Sequence, residues 1–113
     1  MIITKDTPFT KDEIEPLKEQ FDIYIKTVID MEKNICSAGC DLHADSEKVL
    51  LEQGSEQKNL WGGGINLETK EIDYNSFINI RPQQNNTTIE VQDPEIKVQF
   101  EKLMREYFKV LYE

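Results

Sequence analysis

Apolar positions along this chain change their period several times, and each change marks an element. Ile2 and Ile3 suit a short strand. The run T-K-D-E at 10–13 has the form of a capping box, and Ile14, Leu17 and Phe21 behind it share one helical face. Pro16 falls inside that helix, where it removes a hydrogen bond and crowds the carbonyl of Asp12, so the helix either kinks there or begins near Glu15. From Ile23 the period becomes two. Ile23, Ile25, Thr27, Ile29 and Met31 alternate with Tyr24, Lys26, Val28, Asp30 and Glu32, the pattern of a half-buried strand. Glu32-Lys33-Asn34 makes a turn, and Cys36, Ala38, Cys40 and Leu42 form the apolar face of a returning strand, with Ser37, Gly39, Asp41 and His43 opposite.

Asp45 suits the N-cap of a short helix carrying Val49, Leu50 and Gln53 and closed by Gly54. Residues 59–67 read as a strand with Trp61, Ile65 and Leu67 inward. Its partner runs over 72–81, with Ile72, Tyr74, Ile78 and Ile80 on one face and Asp73, Asn75, Phe77, Asn79 and Arg81 on the other, until Pro82 ends it. Residues 83–88, Q-Q-N-N-T-T, are a polar loop. Asp93-Pro94 opens a last helix along which Ile96, Phe100, Leu103, Met104, Tyr107, Phe108 and Leu111 recur at three- and four-residue spacing. No repeat is visible. These elements predict a single domain over 1–113 of α+β class: a two-layer sandwich whose antiparallel sheet of four to five strands carries three helices on one face.

Composition agrees with a folded domain, since 38% of the 113 residues are hydrophobic and 31% are charged. The net charge of −9, with Lys and Arg scattered, argues against nucleic acid and against anionic lipid as partners. Apolar runs are far shorter than the roughly 18 residues a membrane span needs. The start, M-I-I-T-K-D-T-P-F, lacks the form of a signal peptide, which predicts a cytoplasmic location. Cys36 and Cys40, four apart in a strand, would stand about 13 Å from each other, too far for a disulfide. They read as small buried apolar residues.

Candidate chemistry gathers between Asp41 and Arg81. If the strands from Ile23 and Asn59 run one way and those ending at Leu42 and Arg81 the other, then His43, Trp61 and Arg81 lie at one edge and Asp30 and Glu32 at the opposite one. Alternation then puts Asp41, His43, Asn66, Phe77, Asn79 and Arg81 on the outer sheet face, with Tyr24, Lys26 and Val28 beside them. Such a mixed aromatic and polar face suits a ligand or a second copy packed sheet to sheet. Gly62-Gly63-Gly64 reads first as a bulge or bend, and second as bare backbone that allows close approach. No helix follows these glycines, so they do not form a phosphate loop. One histidine with loosely spaced Asp41, Asp45 and Glu47 is a weak metal signature, and no metal or cofactor is expected. Arg81 reads as half of an internal ion pair with Asp41, Asp73 or Glu68 before it reads as an anion ligand.

The motifs V-I-D-M-E-K at 28–33, D-L-H-A-D-S-E at 41–47, L-L-E-Q-G-S at 50–55, L-W-G at 60–62, I-N-L at 65–67, F-I-N-I-R-P at 77–82 and D-P-E-I at 93–96 together resemble a small bacterial family known only as a domain of unknown function. The likeness runs nearly end to end. This chain departs from the family pattern W-G-I-N-L by two extra glycines, and carries N-N-T-T after R-P where the family tends to carry arginines. The resemblance implies no activity and no catalytic residue. The expectation is therefore a small cytoplasmic, non-enzymatic binding or protein-interaction module, self-associating or taking a protein or small-molecule ligand on the outer sheet face. The alternative is a hydrolase or transferase using His43 and Arg81, with Asp41 or a metal.

Overall fold

Seven hydrogen-bonded residues of β2 (Tyr24–Asp30) form the middle of the sheet, and five of them are buried. In the computed structural model, which describes residues Met1–Glu113, β1 (Ile3–Lys5), β3 (Ile35–Ala38), β2, β4 (Leu60–Asn66) and β5 (Ile72–Asp73) lie in the order β1-β3-β2-β4-β5. Every pairing is antiparallel. Three helices complete the chain: α1 (Lys11–Leu17), α2 (His43–Glu52) and α3 (Pro94–Tyr107). The α+β class and the antiparallel sheet are as the sequence pattern predicts.

The helices do not all share a face. Ile25 and Ile29 of β2, Cys36 and Ala38 of β3, and Trp61 and Ile65 of β4 pack with Phe9, Ile14 and Leu17 around α1 and with Phe100, Met104, Tyr107 and Phe108 around α3. The alternate residues look the other way. Val28 and Leu60 pack on Leu50 of α2, and Ser37 Oγ donates to Ser46 Oγ at 2.9 Å. Thus α2 covers the face that the two-layer reading leaves open. The reason is legible in β2 itself, where Val28 interrupts the polar series with a β-branched residue that needs cover.

Strand order also differs from the expected one. β4 lies beside β2, pairing Asp30 with Leu60 and Tyr24 with Asn66. It therefore runs against β2, and Trp61 stands at the Asp30 end, away from the predicted shared edge with His43. The buried Asp30 carboxylate fixes that end. It accepts the N–H groups of Glu32 and Lys33, both at 2.9 Å, and the Ser55 hydroxyl at 2.6 Å. This ties the β2–β3 turn to the segment before β4.

Three boundaries move for local reasons. α1 starts at Lys11, with the Glu13 carboxylate accepting the Thr10 N–H at 2.8 Å, and stops one residue after Pro16, so Phe21 lies outside it. α2 starts at His43 rather than after Asp45, and Asp45 reaches back to the Leu42 N–H at 3.3 Å. β5 ends at Asp73, eight residues short of Arg81 in the predicted strand. Ser76 Oγ accepts the Ile78 N–H at 3.2 Å and opens a 3-10 turn at Phe77–Asn79. Beyond that turn the alternation fails: Ile80, predicted inward, is 42% exposed, while Arg81, predicted outward, is 3% exposed.

Candidate functional site

Because α2 runs from the level of Gly63 toward the Asp30 end, the Tyr24 end of the outer face stays uncovered. Tyr24 and Lys26 of β2, His43 at the first position of α2, Asp73 of β5 and the turn carrying Ser76 and Phe77 surround this opening. Two contiguous cavities fill it, of about 330 Å³ and 300 Å³, and both are bounded by Lys26, His43, Ser76 and Phe77. Leu42, Ala44 and Ile78 line one, and Ile89 closes the other. Phe77 is 84% exposed and Leu42 58%, so the rim presents large apolar side chains to water.

Gly62 and Gly64 of the triple glycine run floor this groove, and the run is regular strand. Its residues lie within β4, and the two glycines with left-handed backbone are Gly39 and Gly54. No bulge or bend is present, which corrects the first reading of that run. Each glycine instead yields space to its neighbours. A Cβ on Gly64 would fall 2.1 Å from Tyr24 Oη, one on Gly62 would fall 2.7 Å from Ser76 Cβ and 3.1 Å from His43 Cδ2, and one on Gly63 would fall 2.8 Å from Phe100 on the inner face. Tyr24 thus lies flat over Gly64, and its hydroxyl donates to Asp73 Oδ2 at 2.6 Å. Burial and the adjacent Asp73 carboxylate both push the tyrosine hydroxyl above its ordinary pKa.

His43 Nε2 stands 2.8 Å from the Gly63 carbonyl oxygen. A carbonyl only accepts, so Nε2 carries the hydrogen and Nδ1 keeps its lone pair without a protein partner. Burial lowers the His43 pKa, Lys26 lowers it further, and the Gly63 bond opposes both. The ring is therefore held neutral. Lys26 Nζ donates to the Asp41 carbonyl at 2.8 Å and lies 4.9 Å from the centre of the Phe21 ring.

Of the six predicted site residues, the fold brings His43 and Phe77 together at the groove, and Asp41 borders it through Lys26. The other three stand elsewhere. Asn66 closes the β4–β5 turn, its Oδ1 accepting the N–H groups of Glu68 and Thr69 at 2.9 and 3.0 Å. Asn79 is fully buried and takes the place of the missing strand beside β4. Its Oδ1 accepts the Gly62 N–H at 2.9 Å, and its Nδ2 lies 2.9 Å from the Gly62 carbonyl and 3.0 Å from those of Tyr74 and Ile89. Asn86 repeats the device, donating to Asn79, Thr88 and Glu90 carbonyls and accepting the Gln92 N–H at 2.8 Å.

Arg81 makes neither the ion pair nor the anion site considered for it. Its guanidinium donates to the Gln57 and Leu60 carbonyls and stacks over Trp61 at 4.0 Å, and its Nε has no partner. Burial lowers its pKa. A residue so enclosed cannot meet a ligand together with His43. No three His, Cys, Asp or Glu side chains converge as metal ligands, and no helix is long and apolar enough to cross a membrane.

The model of a family described as "Protein of unknown function (DUF5674)" matches residues 1–107. The chain belongs to that family. No curated protein and no solved structure matches it. Site residues of this DUF5674 chain that sequence reasoning passed over are Leu42, Ser76 and Ile89. Leu42 lies beyond the strand whose alternation predicts it inward, since β3 ends four residues earlier. Ser76 at the N-cap of a turn carries a recognisable signal, a serine two residues before an isoleucine whose N–H it accepts. Ile89 lies in a stretch without period.

Proposed function

We propose that this chain is a small cytoplasmic, non-enzymatic binding module that receives a ligand or partner segment in the groove between the start of α2 and the 75–77 turn. The exposed Phe77 beside two joined, largely apolar cavities supports this most directly. An aromatic ring in water stabilises nothing in the free protein, yet it offers a large contact area once covered. The neutral His43 and the Tyr24–Asp73 pair add polar groups at the floor, where they would fix orientation rather than supply affinity. The net charge of −9 weighs against nucleic acid and anionic membranes as partners. Titration with isobutanol and with phenol, followed by amide chemical shifts, tests the groove. Shifts are expected at His43, Ser76 and Phe77, and Phe77→Ala should abolish them while changing stability by less than about 0.5 kcal/mol. Shifts centred instead on the exposed Val98 of α3 would refute the assignment.

The lone pair on His43 Nδ1 favours a second reading, in which His43 acts as a general base on a bound substrate. That reading now stands without Arg81. It predicts that His43→Gln removes turnover and leaves binding in the groove intact.

A further inference from the structure

We infer that the groove takes a free α-amino acid with an apolar side chain, its ammonium beside Asp73, its carboxylate beside Lys26 and its side chain between Leu42 and Phe77. The inference rests on the binding-module reading and adds the class of ligand. Sheet register supplies the first observation. Lys26 pairs with Gly64 and Gly64 with Asp73, so the three form one row across β2, β4 and β5, with the two charged residues roughly 10 Å apart at Cα. The Tyr24 ring over Gly64 occupies the space between them, and neither Lys26 nor Asp73 forms an ion pair within the chain. Both line the cavity of about 330 Å³. One positive and one negative group held apart leave a charge unmatched against a singly charged ligand, and match a zwitterion.

Open hydrogen-bonding positions agree. Lys26 Nζ spends one hydrogen on the Asp41 carbonyl and keeps two. Ser76, only 5% exposed, lines both cavities, and its Oγ accepts the Ile78 N–H while its own hydrogen is uncommitted. Those donors suit a carboxylate. Asp73 accepts the Tyr24 hydroxyl at 2.6 Å and the Asn75 N–H at 3.1 Å, which fix its position and leave lone pairs free. His43 Nδ1 is a further open acceptor, and together they suit an ammonium. Asp73 does not line the other cavity, where Leu42, Ala44, Phe77 and Ile78 receive the apolar side chain. Cavities of about 330 and 300 Å³ lie at the lower end of the ~300–1,000 Å³ typical of small-molecule sites, which suits a molecule of this size.

Leucine, phenylalanine and glycine are titrated into the full chain near neutral pH, with N-acetylleucine and leucinamide standing for the C-terminus and N-terminus of a peptide. Amide shifts and Kd are followed. Leucine and phenylalanine should shift Lys26, His43, Ser76 and Phe77, and bind at least about tenfold tighter than glycine or either blocked form. Lys26→Met should largely erase the preference for leucine over leucinamide, and Asp73→Asn that for leucine over N-acetylleucine. Equal binding of leucine and one blocked form would assign the groove to a chain terminus and overturn the inference. If no amino acid moves a groove resonance while isobutanol or phenol does, the inference falls and the binding-module reading survives. Silence toward every probe sinks both.

Discussion

Asn79 completes the pairing of β4 on its open flank, and the cost of losing it can be worked from its partners. β5 reaches only as far as Gly64, so the Gly62 N–H and C=O face a flank of β4 with no strand beside it. Asn79 satisfies both. The carbonyls of Tyr74 and Ile89, which it also bonds, keep backbone donors from Val91 and Ser76 and lose less. In Asn79→Ala the two Gly62 groups become buried and unpaired. At roughly 1.5 kcal/mol for each, with a small cavity in addition, the loss is about 3–4 kcal/mol. That is a large share of the ~5–15 kcal/mol typical of a whole domain, and corresponds to a drop in melting midpoint of roughly 12–16 °C. Urea denaturation followed by circular dichroism and tryptophan fluorescence measures it. Asn79→Asp keeps the acceptor for the Gly62 N–H but turns a carboxylate toward three carbonyls, so it should cost at least as much. The exposed neighbour change Asn75→Ala should cost less than about 0.5 kcal/mol. A value for Asn79→Ala within about 1 kcal/mol of the parent, at an unchanged slope, would refute this account of the β4 flank.

Two further outcomes follow from the groove floor. Gly64→Ala sets a methyl against the Tyr24 ring and the Ile25 carbonyl and should destabilise by ~1–3 kcal/mol; adding Tyr24→Ala should recover part of this, with a coupling of about 1 kcal/mol or more, and strict additivity would show that the ring does not set the constraint. For His43 the folded pKa lies below the unfolded value of about 6.5, so above that pH both states are neutral and the full stability is present; as pH falls below it the unfolded chain takes up the proton first, and stability declines until the folded pKa is reached. The difference in stability between the parent and His43→Gln, measured from pH 7.5 to 5, isolates this fall from that of the carboxylates, and a flat or rising difference toward acid would show that the ring is not buried as a neutral donor.

The sheet was legible where side chains alternate against a single cover. Ile25 and Ile29, and Trp61 and Ile65, all enter the predicted core, and α3 follows its three- and four-residue spacing from the Asp93 cap. The predicted arrangement failed where a polar side chain replaces backbone pairing. The run from Tyr74 to Arg81 keeps a period of two in its sequence, yet Ser76 and Asn79 turn it out of the sheet, and no periodicity encodes that competition. α2 lies on the other face because Val28, among polar neighbours along β2, packs on Leu50 and Leu60 and so demands a second layer that alternation alone does not reveal. The boundaries of the groove are hidden from the sequence for the same reason, since α2 determines how much of the outer face stays open. His43 and Phe77 were found because they are unusual residues for a solvated face, whereas Arg81 and Asn79 drew attention by their chemistry and serve the backbone instead.

Closing a sheet margin with one amide rather than a full strand concentrates the pairing of that margin in a single side chain. A neighbouring strand spreads its donors and acceptors over many residues, so that losing one is diluted; here one substitution strands both Gly62 groups inside a covered flank. The width of the sheet is thus set by where a carboxamide stands, and not by where the alternation of side chains runs out.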